Sequence, residues 1–235
     1  MGILTGSYSG TGLINMTRTE YMHGHTFADI LNEHSVVVDL GSHVGACAEE
    51  FIKKYGCTVH SVEAVPEIYE KIRETEQLKK YHYAITKESG TTTLYLPNEL
   101  CATTHVSSKL GDTKIRVPAI RLDEFLRKYN IEKIDLLKLD IEGSELEVFE
   151  TMSGDELKHV QQITVEFHDF LYPETHARVE AVKKKITQQG FYCIPFSRNN
   201  GDVLFIKKDM LPTRVYIYWK YGIKYIHGIG RILHK

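Results

Sequence analysis

The sequence predicts an α/β fold built on a mostly parallel seven-stranded sheet with an antiparallel edge hairpin. From residue 35 onward, apolar β-type segments alternate with helical patterns, which favours parallel strands joined by crossover helices. The run Val36–Leu40 ends in an acid and a glycine-containing loop, an arrangement typical of strands that present a nucleotide loop. Near the end of the core, Asn199-Asn200-Gly201 separates two strand patterns. This turn predicts a hairpin, so one edge strand must run antiparallel.

The elements follow in order along the chain. Strands are predicted at residues 36–40, 59–62, 81–85, 134–139, 163–167, 191–196 and 203–207, and helices at 44–55, 66–80, 122–129, 144–152 and 173–189. A further pair at 91–96 and 115–120 predicts a β excursion between the third and fourth strands. We therefore place the core at residues 35–208, with an N-terminal lid or helix at 1–34 and a basic aromatic tail at 209–235.

The length and composition of the chain limit the classes of function that it can have. A chain of 235 residues with 42% hydrophobic content can bury one substantial core. Its 29 Lys and Arg nearly balance its 31 Asp and Glu, so no global positive field attracts nucleic acid. The four cysteines show no metal or redox spacing, and neither a secretory signal nor a run of about 20 apolar residues is present. These features predict a cytoplasmic protein.

The glycine loop indicates which cofactor is bound. Its spacing, Asp-Leu-Gly-Ser-His-Val-Gly over residues 39–45, departs from the G-x-G-x-x-G that dinucleotide enzymes use for a pyrophosphate. S-adenosylmethionine has no phosphate, and a loop with Gly41 and Gly45 leaves room for its amino acid and sulfonium. Glu63 ends the second strand, 24 residues after Asp39, where an acid can accept the hydroxyls of a ribose. The loop and the acid together favour S-adenosylmethionine.

Acidic residues follow several strands at the edge where an open α/β sheet binds its ligand. Asp140 and Glu142 follow the fourth strand, and Glu166 and His168 close the fifth. Since an imidazole titrates near neutrality, His168 is our preferred general base, with Glu166 and Asp140 as alternatives. These side chains and Asp169 also include the donor types that suit magnesium or manganese. No metal is assigned, because the sequence gives no geometry.

Residues 134–148, Ile-Asp-Leu-Leu-Lys-Leu-Asp-Ile-Glu-Gly-Ser-Glu-Leu-Glu-Val, closely resemble the signature I-D-L-L-K-I-D-V-E-G-x-E of the FkbM-type methyltransferases. The resemblance extends over about residues 20–208 and includes the glycine loop and the Val-Glu-Ala-Val-Pro turn at 62–66. Two departures are Ser42-His43, where the family usually has Ala-Asn, and Ala64, where it commonly has Pro. Both departures lie at positions where they can alter cofactor contacts.

The resemblance implies a Rossmann-like class I methyltransferase fold and methyl transfer from S-adenosylmethionine to a hydroxyl of a sugar, a glycan or a secondary metabolite. The cofactor contacts predicted on this basis are Asp39, Gly41, Ser42, His43, Gly45, Glu63 and Ala64. Lys138 and Glu142 are predicted to bind the acceptor, although Lys138 could instead pair with a carboxylate and fix the loop. Two alternatives stay open, an NAD-dependent oxidoreductase and a non-catalytic protein that keeps the cofactor fold.

The tail suggests a surface contact. Residues 214–235 contain five Lys and Arg, no Asp or Glu, and several Tyr together with Trp219. On a helix, these residues would form an apolar face beside a basic face, as in helices that lie on anionic membranes. The sequence therefore predicts peripheral contact with the inner membrane face, or docking of this helix on the domain or on a second subunit. It leaves the oligomeric state open.

Overall fold

The computed structural model describes residues 18–96 and 113–223. The twelve strands in these ranges are β1 Thr19–Met22, β2 His25–Ala28, β3 Val36–Leu40, β4 Thr58–Glu63, β5 Leu78–His82, β6 Ala84–Ile85, β7 Gly90–Leu96, β8 Thr113–Ile120, β9 Leu136–Leu139, β10 Gln162–Val165, β11 Phe191–Pro195 and β12 Val203–Lys207. The α-helices are α1 Ala46–Tyr55, α2 Pro66–Tyr69, α3 Leu122–Lys128, α4 Glu145–Thr151, α5 Gly154–Lys158, α6 His176–Gln188 and α7 Thr213–Ile217. Short 3₁₀ turns lie at His168–Phe170 and Pro173–Thr175, and a π-helical segment at Tyr218–Ile223.

Seven strands form the central sheet in the order β11-β12-β10-β9-β3-β4-β5. The strands from β10 to β5 run parallel, whereas β12 is antiparallel to both β10 and β11. This topology confirms the predicted Rossmann-like class I methyltransferase fold with its antiparallel edge hairpin. The predicted β excursion is also present, since β7 pairs antiparallel with β8 in a separate three-stranded sheet.

Helices cover both faces of the central sheet, and successive side chains along each strand therefore pack against helices on opposite faces. Val38 and Leu40 of β3 belong to one apolar cluster, which includes side chains of α3, α4 and α6. Val37, between them, belongs to the opposite cluster, with Phe51 of α1 and Phe27 of β2. The carboxyl ends of β3, β4, β9 and β10 thus meet at one edge of a rigid sheet.

The N-terminal segment was predicted as a lid or a helix, and its described part is a β-hairpin, so the helix is wrong there and the lid stays a prediction. His23 and Gly24, between β1 and β2, have φ of 45° and 90°, and two consecutive residues at positive φ are the requirement of a tight type I′ hairpin turn. The hairpin is tied to the domain: Thr26 donates from its backbone N–H and its hydroxyl to Asp202, and the backbone N–H of Ala28 donates to the Gln162 side chain.

The predicted helix at 66–80 is also wrong in extent. Only Pro66–Tyr69 is α-helical, and β5 already begins at Leu78. A tight turn ends the helical region, because Thr75 N donates to Leu78 O while the Thr75 hydroxyl accepts from Leu78 N. Leu78 then pairs with Val59 of β4, and this pairing extends the central sheet.

The start of the tail packs on the domain. Val215 and the fully buried Trp219 join Ile194 and Leu204 of the edge hairpin in one apolar cluster. Ile217, Tyr218 and Tyr221 point to solvent. Residues 224–235 lie outside the described ranges, so membrane contact stays a prediction. Within those ranges, no helix has the length and apolar character needed to cross a bilayer.

Candidate functional site

The glycine loop after β3 passes directly beneath the loop after β9. Gly41 has φ 79°, and a Cβ built on it would lie 1.8 Å from the backbone oxygen of Asp140. Only glycine tolerates both this φ and this approach. The backbone N–H groups of Gly41 and Ser42 both donate to Val62 O, at 3.0 and 3.1 Å. The loop is therefore held open by its contacts with the two neighbouring strand ends.

Glu63 anchors the two cofactor-side loops to each other. One carboxylate oxygen accepts from His43 N at 2.9 Å and the other accepts from Val65 N at 2.8 Å. Burial raises the pKa of Glu63, while the hydrogen bonds from Val65, His43 and Ala64 oppose that rise. Each carboxylate oxygen has lone pairs beyond those used here, so Glu63 can still accept hydroxyl groups.

A cavity of about 260 Å³ opens beside Glu63. Its lining includes Gly41, His43, Glu63 and Ala64 as well as the acids Asp140 and Glu142. The rest of the lining is mostly apolar and consists of Val62, Val65, Ile68, Tyr83, Ala84, Ile85, Leu94, Ile141 and Ser144. The predicted contacts Asp39, Ser42 and Gly45 do not line the cavity and instead support its loop.

These features fit S-adenosylmethionine. An apolar wall suits an adenine ring, a buried carboxylate beside it suits the ribose hydroxyls, and a glycine against the backbone leaves space for the amino acid. Ser42 belongs to the loop, and its hydroxyl is buried without a hydrogen-bond partner among the described residues. Gly45, at φ 82°, ends the loop and precedes α1 with its α-carbon against Ile72.

Asp39 and Lys138 form a buried ion pair under the loop. The strands β3 and β9 place them side by side, and Lys138 Nζ lies 2.9 Å from Asp39 Oδ1 and 3.3 Å from Gly41 O. Burial alone would lower the pKa of Lys138, but the charges of Asp39, Asp140 and Cys47 together with the hydrogen bond to Asp39 outweigh it, and the pKa is raised. Lys138 is 3% exposed and does not line the cavity. Its contacts favour fixing the loop over the predicted contact with the acceptor.

Asp140 is the centre of the acceptor-side group. His25 Nε2 lies 3.5 Å from Asp140 Oδ2, and His168 Nε2 lies 3.9 Å from Asp140 Oδ1. Burial would raise the pKa of Asp140, but the hydrogen bond from His25 and the charges of Lys138 and His168 outweigh it and lower the pKa to about 2. Asp140 therefore remains ionised, which suits it to orient a hydroxyl or balance a positive charge.

His168 does not have the properties expected of a general base. Its Nδ1 lies 3.0 Å from the buried Glu145 Oε1, and its Nε2 lies 3.3 Å from Glu142 Oε2. Burial would lower its pKa, but the hydrogen bond to Glu145 and the charges of Glu145, Glu142 and Asp140 raise the pKa of His168 to about 9. Both ring nitrogens are thus engaged. These contacts do not favour His168 as the base, and its catalytic role stays a prediction.

Glu166 is the alternative that the geometry favours. It is partly buried at the end of β10. Its backbone N–H donates to Leu139 O, but its carboxylate makes no hydrogen bond or ion pair with the described residues, so its lone pairs are available. Burial and the charge of Asp140 raise the pKa of Glu166 to about 6. Asp169, by contrast, is directed elsewhere: its carboxylate accepts from Asn200 and contacts His176.

Sequence reasoning missed two members of this site. His25 belongs to the segment predicted as a lid or a helix and was given no role of its own, yet it is 1% exposed, and its Nδ1 lies 3.3 Å from the Thr164 hydroxyl. Glu145 was given no role beyond its place in the family signature, but its carboxylate accepts from Ile141 N and Gly143 N and also contacts His168. The Glu in the family signature at position 145 was the available signal; for His25 the sequence offered none.

Comparisons with known proteins identify the family of this chain. A family model described as the methyltransferase FkbM domain matches residues 39–193. The hexuronic acid methyltransferase AglP of Haloferax volcanii is 26% identical over 162 residues, which are 66% of this chain and 65% of AglP. The AMB antimetabolite synthetase AmbE of Pseudomonas aeruginosa is 34% identical over 71 residues, 30% of this chain and 3% of AmbE. The chain thus spans less than two thirds of either relative.

Among solved structures, a methyltransferase FkbM from Methylobacillus flagellatus aligns with a TM-score of 0.49 at 11% identity. The alignment covers 75% of this chain and 44% of that one.

Proposed function

Because the chain belongs to the FkbM methyltransferase family, we propose that it is an S-adenosylmethionine-dependent O-methyltransferase acting on a hydroxyl of a sugar, a glycan or a secondary metabolite. One observation carries the proposal: a single cavity is lined by the carboxylate suited to a ribose, Glu63, and by the strand-end acids Asp140 and Glu142. Cofactor and acceptor would therefore meet in one cleft. The family match also opposes the oxidoreductase alternative.

On the cofactor side, Glu63 would accept the ribose hydroxyls, and the wall around Val65 and Ile68 would contact the adenine. The preformed hydrogen bonds from His43 and Val65 hold the Glu63 carboxylate in place before the cofactor arrives. Binding energy is then not lost in ordering that side chain.

When bound, the cofactor supplies an electrophilic methyl group, so that a new oxygen–carbon bond forms as the carbon–sulfur bond breaks and its electron pair returns to sulfur, leaving S-adenosylhomocysteine. The chain must orient the acceptor hydroxyl and take its proton. Glu166 is assigned as the base, because its carboxylate is the one at this edge with no hydrogen bond or ion pair to the described residues. A positioned base contributes roughly 10²- to 10⁴-fold to the rate.

The acceptor side supports a hydroxyl-rich substrate. Asp140 and Glu142 are each about one-third exposed, at 29% and 33%, and both line the cavity. Carboxylates in such a position accept hydrogen bonds from vicinal hydroxyls. The relative from Haloferax volcanii is named for a hexuronic acid, a sugar acid, which supports a sugar as the acceptor class.

The proposal is tested first by calorimetric titration of the protein with S-adenosylhomocysteine and, separately, with NADH. We expect the protein to bind S-adenosylhomocysteine and not NADH, and preference for NADH would overturn the proposal. Mass spectrometry of sugars and uronic acids incubated with the protein and S-adenosylmethionine would then detect a gained methyl group. Cofactor binding without methylation of any acceptor would favour the non-catalytic alternative.

The base is tested by Glu166→Gln, with Glu174→Gln as the control. Glu174 is an exposed acid on the following 3₁₀ turn. Turnover is expected to fall by roughly 10²-fold or more in Glu166→Gln, with S-adenosylhomocysteine affinity unchanged, and to be unaffected in the control. Full turnover by Glu166→Gln would remove it as the base.

A further inference from the structure

Two carboxylates and one imidazole converge at the end of the cavity where we expect the acceptor to bind. His168 Nε2 lies 3.3 Å from Glu142 Oε2 and 3.9 Å from Asp140 Oδ1. All three donor atoms lie within 4.8 Å of one another. We propose that Asp140, Glu142 and His168 form a binding site for one divalent cation, of which Mg²⁺ and Mn²⁺ fit the donor set best.

The spacing is that of ligands around one ion. At metal–ligand bonds of about 2.1 Å, neighbouring ligand atoms lie about 3.0 to 3.4 Å apart, depending on the geometry. The two separations from His168 Nε2 are long for hydrogen bonds, which cluster at about 2.9 Å. The separation of 3.3 Å between His168 Nε2 and Glu142 Oε2 already falls in this range, and a contraction of about 0.5 Å would bring Asp140 Oδ1 into it.

His168 is held as a metal-binding imidazole is held. Its Nδ1 lies 3.0 Å from Glu145, which is 1% exposed. Glu145 is itself fixed by the backbone N–H groups of Ile141 and Gly143. Ligating histidines usually have such a carboxylate on the nitrogen that does not face the metal, because it sets the ring orientation and raises the basicity of the ligand. The contact with Glu145 does not involve Asp140 or Glu142, and it orients the ring so that Nε2 faces both of them.

The loop that carries the acids is shaped to present them. Glu142 adopts a φ of 53°, a conformation that a residue with a side chain rarely takes. Such backbone strain is frequent where a loop must direct a side chain toward a ligand. Asp140 and Glu142 line the cavity, so a cation can reach them, whereas Glu145 behind them is inaccessible.

A second donor set, His25, Asp140 and Glu166, shares Asp140 with the first. We assign the ion to the set containing Glu142, because a carboxylate orients the imidazole of His168 through Nδ1, whereas Nδ1 of His25 contacts only the Thr164 hydroxyl. Glu166 then stays available as the base.

What the cation does there rests on the proposed function. From Asp140 and Glu142 it would face the acceptor, hold a hydroxyl in place and ease the loss of its proton to Glu166. It would also let the acid-lined cleft accept a sugar that carries a carboxylate of its own.

The site is tested by titrating the full chain with Mn²⁺ and following free Mn²⁺ by electron paramagnetic resonance. One ion per chain is expected, with a dissociation constant between about 10⁻⁵ and 10⁻³ M. Glu142→Gln and His168→Gln should weaken binding roughly tenfold or more, and Glu174→Gln should leave it unchanged. Glu142→Gln keeps the size of a partly exposed side chain, so it remains informative even if His168→Gln fails to fold.

No binding by the natural chain up to about 1 mM Mn²⁺ would overturn the proposal. Equal binding by Glu142→Gln and Glu174→Gln would do the same, as would loss in His25→Gln with Glu142→Gln unaffected. S-adenosylhomocysteine affinity is measured on the same samples without metal. Binding of S-adenosylhomocysteine without binding of Mn²⁺ would reject the cation site alone. Binding of Mn²⁺ without binding of S-adenosylhomocysteine would reject the cofactor assignment.

Discussion

Replacement of Glu63 offers the sharpest test of how the cleft holds its cofactor. In Glu63→Ala the carboxylate that faces the cavity is lost, together with the hydrogen bonds that it accepts from His43 and Val65. Hydrogen bonds to a charged group contribute about 1.5 to 3 kcal/mol. If the ribose hydroxyls bind this carboxylate, the dissociation constant for S-adenosylhomocysteine should rise roughly 10- to 150-fold.

The assay is calorimetric titration at constant pH and salt, with Glu67→Ala as the matched control. Glu67 is an exposed acid four residues further along the chain and does not line the cavity. The loss of two backbone partners should also lower the free energy of unfolding of Glu63→Ala by about 1 to 3 kcal/mol, so its folding is checked by urea denaturation.

A comparison of adenosine with 2′-deoxyadenosine isolates the ribose contact. The natural chain should prefer adenosine, and Glu63→Ala should lose most of that preference. Unchanged affinity for S-adenosylhomocysteine in a folded Glu63→Ala, or an unchanged preference for the ribose, would show that Glu63 only supports the loops.

The remaining predictions concern the loop, the ion pair and the tail. Gly41→Ala should destabilise the protein far more than Gly24→Ala in urea denaturation, because both glycines have positive φ but a Cβ meets a backbone oxygen at 1.8 Å only at Gly41; equal losses would show that the loop relaxes. Lys138→Met should cost about 3 to 5 kcal/mol by leaving Asp39 buried without its partner, and the double variant with Asp39→Asn should recover part of that loss; no recovery would argue against the ion pair. Replacing the exposed Tyr218 by Ser should reduce sedimentation with anionic liposomes if the tail contacts membranes, and equal sedimentation would refute that contact.

Local sequence patterns predicted most of the framework. The apolar strands and the Asn-Asn-Gly turn suffice for a parallel sheet with an antiparallel edge, since most of the inner strands are buried on both faces and form continuous apolar runs in the sequence. The hairpin β1–β2 was missed because its polar strands lack that pattern, and its signal was only the His23-Gly24 turn.

The roles of individual side chains in the site were less predictable. His25 and Asp140 are 115 residues apart in the chain and meet only because the hairpin packs on β10 and β12. His168 was expected to titrate near neutrality, but three carboxylates from other parts of the chain surround it and change its charge.

By itself, the sequence determined the fold class, the family, the glycine loop and the strand-end acid Glu63 that lines the cavity, because these depend on residues that are neighbours along the chain or on its regular periodicity. Only the tertiary structure showed that Lys138 contacts the glycine loop and that His25 lies beside Asp140. It also showed that both ring nitrogens of His168 contact carboxylates, whereas the Glu166 carboxylate has no hydrogen bond or ion pair with the described residues. The physical reason is that the charge and availability of a side chain are set by the burial and charges around it, and in this protein those surroundings come from distant segments.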